Sequence, residues 1–187
     1  MIIKGAHIIV ASLRIVLFCL SQNALVTAQI IPPDAPAALE YYFNTDCTVG
    51  EKRQALQDLL KYKDVWENTL IDLMIHGPSD FTKKAIAQKV QGDWIERERH
   101  LSTNPALGLS AKEMQILKAV VREEYVDREI AQILREYRER AVFALAAFHS
   151  RKASTALDAL KKSDPSFGPV ITAARKREQA KKKGNNL

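Results

Sequence analysis

An all-α fold is what this sequence predicts, and three observations predict it. Beyond residue 36, apolar residues recur three and four apart, the spacing that lines one side of a helix. Apart from the first 28 residues, no stretch of strand length alternates apolar with polar. Finally, no Gly or Pro interrupts the chain between Gly108 and Pro165. Roughly six to eight helices and no sheet are expected, with their ends set by local punctuation.

Taken in order, 29–36 is a Pro-rich lead-in, because Pro32, Pro33 and Pro36 lack the backbone donor that a helix interior needs. Ala37 to Phe43 reads as a short first helix, stopped by Asn44, Thr45 and Asp46. Thr48 is placed to cap a second, Val49 to Tyr62, with Ala55, Leu56, Leu59 and Leu60 on one face. After a turn at Lys63-Asp64, Val65 to Ile75 carries Val65, Trp66, Thr69, Leu70, Leu73 and Met74 inward, and His76-Gly77-Pro78 ends it. Ser79 or Asp80 caps the next helix, which runs through Ile86, Val90 and Ile95 and is weakened at Gly92.

Asn104 to Gly108 is the plainest internal break, dividing a helical domain at 37–174 into halves 37–103 and 110–174. Ser110 with Glu113 forms a capping box, each side chain satisfying a free backbone donor of the other. Met114, Leu117, Val121, Ile130, Ile133, Tyr137, Ala141, Ala144 and Phe148 continue the stripe. So long a single helix would be unusual in a small domain, so interruptions are expected near Glu124 to Asp127 and near His149 to Lys152. Ala153 to Leu160 makes another helix, Ser163-Asp164-Pro165 breaks it, and Phe167 to Lys181 forms the last.

The first 28 residues have the parts of a secretory signal peptide: Lys4 and Arg14, the apolar run Ile15 to Leu20, and the small-residue cut site Val26-Thr27-Ala28. A membrane span needs about 20 apolar residues, and Arg14 and Ser21-Gln22-Asn23 bracket a shorter run. Cleavage after Ala28 is therefore expected, with no membrane span afterwards and export to a bacterial periplasm or the exterior. Cys47 would then be the sole remaining thiol, so no internal disulfide is available and packing must supply the stability. The formal net charge of +6 is unevenly spread. Arg175, Lys176, Arg177, Lys181, Lys182 and Lys183 face only Glu178 in the last turns, a basic tail (175–187) on a near-neutral body.

The segment Arg138 to Ala174 resembles a HEAT-like helical repeat of the short bacterial type. The residues that carry the likeness are Arg138, Ala141, Ala144-Leu145, the turn at His149 to Lys152, Ala156-Leu157, Leu160, Asp164-Pro165 and Ala173-Ala174. Arg53, Ala55-Leu56, Leu59, Leu70, Leu73 and Ala85 echo it more faintly. The departures are a second helix one residue short between its leucines, and Pro169-Val170-Ile171 where Val-Arg is expected. The resemblance implies a short α-solenoid whose helix pairs stack and whose concave face binds a protein. An irregular antiparallel helical bundle is the alternative, because Ala-Leu helices build both.

Chemistry is sparse. The chain has no His-Glu-x-x-His, no Gly-x-Ser-x-Gly, no phosphate-cradling Gly loop and no zinc-type Cys pair, so neither catalysis nor a cofactor or metal is expected. Glu123, Glu124 and Asp127, flanked by Arg122 and Arg128, read as a salt-bridged solvent face. His76 and His100 read as exposed helix-end or charge-run residues, and His149 as a cap at an inter-helix turn. Trp66 and Trp94 fit either the core or a partner-facing aromatic patch. The leading functional expectation is an exported, non-catalytic module that binds another protein. The alternative is a binder of a polyanion, whether nucleic acid, acidic lipid or envelope polymer, gripped by the basic tail.

Overall fold

The computed structural model describes residues 31–44, 49–103, 110, 112, 115 and 119–184. The signal-like segment, Cys47, Thr48, the Asn104 to Gly108 break and Glu113 of the expected capping box lie outside them. Among the described residues the chain is all-α, with seven helices and no strand. They are α1 (Ala35–Asn44), α2 (Val49–Leu60), α3 (Lys63–His76), α4 (Asp80–Thr103), α5 (Arg122–Phe148), α6 (Arg151–Ser163) and α7 (Gly168–Gly184). A single 3-10 turn, Pro165–Phe167, joins the last two.

Local chemistry accounts for most of the boundaries. At the end of α3, Gly77 takes φ +77 and donates its N–H to the Leu73 carbonyl at 2.9 Å, a conformation open to glycine at little cost. Ser79 caps α4, its hydroxyl accepting from the Thr82 N–H at 3.3 Å. Ser150 caps α6, accepting from the Ala153 N–H at 2.9 Å.

Several expected boundaries move: the turn expected at Lys63-Asp64 falls at residues 61–62, so α2 ends at Leu60 and α3 starts at Lys63, and α6 runs Arg151–Ser163 rather than Ala153 to Leu160. α1 starts at Ala35 rather than Ala37, because Pro36 falls in the first turn, where a helix has no use for its missing N–H. The interruption expected near Glu124 to Asp127 falls earlier, at residues 119–121, and α5 then runs unbroken from Arg122, since no residue at 124–127 prevents helix and the charged side chains face solvent. α7 begins at Gly168 after the 3-10 turn and continues to Gly184, so its basic end is helix and not a loose tail.

The contacts group the helices into two compact units, one of residues up to 77 and from 137 onward, the other Pro78–Glu136. The division thus follows the return of the chain's later helices onto its first three rather than the 104–108 break. In the first unit Leu39, Tyr42, Leu56, Leu59, Trp66, Leu70, Met74, Leu145, Phe148, Leu157, Leu160, Phe167 and Ile171 form a continuous core. α1 packs on α2, α3 on α6, and α6 on α7. The end of α5 is buried almost all round, and Ala141, Ala144, Ala146 and Ala147 allow its neighbours a close approach.

Polar groups fix how these helices meet. Arg138 Nε donates to the Met74 carbonyl at 2.8 Å, its Nη2 to Asp164 Oδ2 at 3.3 Å, and its guanidinium lies 4.2 Å from the centre of the Phe167 ring. Arg140 Nη1 donates to the carbonyls of Tyr42 (3.3 Å) and Phe43 (2.7 Å), and Tyr42 Oη returns a bond to the Arg140 carbonyl at 2.8 Å. Burial pushes the Tyr42 phenol well above its usual range, against the opposing charges of Arg140 and Arg177, so it stays a neutral donor. Trp66 Nε1 donates to the Ala35 carbonyl at 3.0 Å, pinning the start of α1 to α3.

In the second unit Thr82, Ile86, Val90 and Trp94 of α4 are buried, as is Val126 of α5. Trp94 and Tyr125 meet with ring centres 5.1 Å apart, and the Arg97 guanidinium lies 4.8 Å from the Trp94 ring. Ile95, expected on the apolar side of α4, is 59% exposed, because its neighbour Trp94 takes the inward position.

Two outcomes follow. Arg138→Ala leaves the Met74 carbonyl and Asp164 without their cation and should cost about 1.5–3 kcal/mol in urea unfolding, with Arg138→Lys recovering only part because it lacks the planar fork. The Ser166 hydroxyl at 2.6 Å, assisted by Arg138, holds the Asp164 carboxyl below its ordinary 3.8. A depressed folded-state value means that this contribution is complete above the ordinary value and is lost as pH falls through the lowered one. Acid unfolding of Asp164→Asn should therefore show a shallower dependence below about pH 4 than the parent.

Candidate functional site

A concavity lies where α5 gives way to α6, beside α7. Phe148 ends α5, and His149 takes φ +53, the left-handed value usual for the residue that follows a helix. His149 and Ser150 alone separate the two helices, and Ser150, back in an extended conformation, caps α6. The interruption expected at His149 to Lys152 is thus found, with His149 as a turn residue.

A cleft of about 280 Å³ opens over this turn. Leu145, Ala146 and Leu157 form its apolar floor, and His149, Ser154, Arg175, Glu178 and Gln179 its polar walls. Every wall residue from α7 lies at or beyond Arg175, inside the expected basic tail. Glu178 is buried, its Oε2 3.7 Å from His149 Nε2. Arg175 Nη1 pairs with Asp158 at 2.8 Å, and its Nη2 donates to the Ser154 carbonyl at 3.3 Å. The Arg175 bond holds the Asp158 carboxyl below the usual carboxylate range.

Ser150 has no spare hydroxyl proton: it donates to Glu67 of α3 while its oxygen caps α6. Beside it, Lys152 Nζ donates to Asn68 Oδ1. The polar groups of this region therefore join α3, α6 and α7. Among the described residues, no group of three or more His, Cys, Asp or Glu is placed to hold a metal ion, and no helix is long and apolar enough to cross a membrane.

The residues singled out from sequence separate into three groups. Trp66 and Trp94 are buried, 1% and 4% exposed, so neither forms a partner-facing patch: each sits on the inward stripe of its helix. Arg175 belongs to the body through Asp158, whereas Lys176 and Arg177 are exposed on α7. Lys181, Lys182 and Lys183 continue that helix, but their side chains lie outside the described residues. His76 and His100 lie at helix surfaces beside Asp72 (3.8 Å) and Glu96 (3.1 Å).

Sequence reasoning missed Glu178, His149 and Arg175 as one cluster. A signal for Glu178 was present. It stands seven residues after Ile171 and four after Ala174, so it continues their buried stripe through a charged run. No family model, curated protein or solved structure matches the chain.

The turn and the helix above it can be tested separately. A β-carbon at φ +53 is strained, so His149→Gly should be more stable than His149→Ala by about 1–2 kcal/mol in thermal unfolding, both variants lacking the imidazole. Ending the chain after Ala180 should leave the melting temperature of the body nearly unchanged. Ending it after Ala174 removes Arg175 and Glu178 and should lower that temperature by several degrees.

Proposed function

We propose that this protein is an exported, non-catalytic helical module, built of HEAT-like helix pairs, whose exposed helix faces bind another protein. One observation carries the reading: Arg138 reaches Met74, Asp164 and Phe167 together. Arg138 and the Asp164-Pro165 step are two of the residues on which the likeness to a HEAT-like repeat rests. Their pairing supports a scaffold in which a partly buried cation fixes one helix pair against the next.

Two further observations support it. The polar residues around the α5–α6 turn are engaged in joining helices, which favours a structural over a chemical use. Export rests on Lys4, Arg14, the Ile15 to Leu20 run and Val26-Thr27-Ala28. A protein that binds through a preformed helical surface needs neither a nucleophile nor a cofactor, only rigidity and an exposed face.

The decisive experiment is a crosslinking pull-down of the full-length protein from its native envelope, with sequencing of its amino terminus. A protein captured in stoichiometric amount, and a chain starting at Gln29, are the expected results. A start at Met1 overturns cleavage after Ala28. Recovery of the uncrosslinked protein alone, across several crosslinker chemistries, overturns the binding module.

A further inference from the structure

The strongest unassigned feature is electrostatic, and it emerges from the register of α6 against α7. Arg175 contacts Ser154 and Asp158, and Glu178 lies beside His149, so the two helices run antiparallel, with residue 178 level with the start of α6. By this register Lys176, midway along α7, lies level with the first turn of α6, which carries Arg151 and Lys152. Lys181 to Lys183 follow on the helix that continues past α6. All three of the first group are exposed.

None of these three has an ion-pair partner among the described residues, and the one side-chain bond of Lys152 goes to a neutral amide. Two carboxylates at this end are engaged within the fold: Glu67 accepts from Ser150, and Glu178 is buried beside His149. The first turns of α2, α3, α4 and α5 hold acidic residues, which suit the positive end of a helix dipole. α6 holds Arg151 and Lys152 there instead, adding to the positive potential rather than cancelling it. Glu67, through Ser150, and Glu178 answer part of that charge from within the fold, while Arg151 and Lys152 themselves face solvent.

We infer that this end of the α6–α7 hairpin docks electrostatically onto a bilayer surface rich in anionic phospholipid headgroups. A membrane surface suits the patch better than a nucleic acid does. α6 and α7 carry no aromatic side chain on which a base could stack, and the nearby Phe167 is buried. The patch also lacks exposed large apolar side chains, so attachment is peripheral and depends on charge. The inference does not rest on the protein-binding reading.

The test is co-sedimentation of the full-length protein with vesicles of phosphatidylcholine alone or with a third phosphatidylglycerol, at low and high salt. Binding is expected to the anionic vesicles alone and to fall steeply with salt. Each cation near the surface contributes about fivefold in affinity, so Arg151→Gln/Lys152→Gln/Lys176→Gln should bind about a hundredfold more weakly. Lys161→Gln/Lys162→Gln, at the other end of the hairpin, should bind as the parent does. Equal loss in the two variants overturns the inference, as does parent-like binding by the first or no binding by the parent. Tighter binding to duplex DNA than to anionic vesicles at equal salt would replace the membrane with nucleic acid. If the first variant melts below the parent, Arg151→Gln/Lys176→Gln decides by the same criteria, with about a twenty-five-fold loss expected.

Discussion

Two arginines two positions apart on α5 hold the larger unit together. A helix leaves its last carbonyls without partners, and here those orphan acceptors become attachment points. Arg138 takes the carbonyl end of α3 and Arg140 that of α1, each placing a cation where the helix dipole is negative. Residues two apart on a helix point to different sides, so one turn of α5 clamps two helices in two directions. Apolar burial supplies the bulk of the stability, but it is non-directional and leaves helices free to slide or rotate. Charged, partly buried hydrogen bonds to named carbonyls remove that freedom.

Much of this was legible in the sequence because it is local. Apolar spacing placed the helices, and Gly77-Pro78 and Asp164-Pro165 placed the breaks. Ser79 was one of two candidate caps, and its hydroxyl proved to be the acceptor. What the sequence hid is longer in range. Nothing near Arg138 announces that its acceptors lie at Met74 and Asp164, because those groups meet only once three helices have packed. The same holds for Trp66. Its place on an apolar stripe favoured the core, but its bond to the Ala35 carbonyl could not be read from either residue.

The basic end of α7 shows how charge counting can mislead. A run of cations reads as a solvated tail, since most such runs are. Helical geometry is indifferent to that average and asks only which positions face inward. Glu178 and Arg175 fall on or beside the inward stripe and join the body, while Lys176 falls outside it. Composition gave the charge of the segment correctly and its location only in part.

The long reach of the bond between Tyr42 and Arg140 has a consequence for how the chain matures. Its partners stand 98 residues apart, and those of Arg138 and Met74 are 64 apart. The first three helices cannot close their core until α5, α6 and α7 exist to cover it, and bringing such distant segments together carries a large loop entropy that local contacts do not relieve. While the chain is being made, its opening half therefore remains an open set of helices. The order in which this sequence places its interlocking parts thus leaves the amino-terminal half without its covering helices until the last of them has been synthesised.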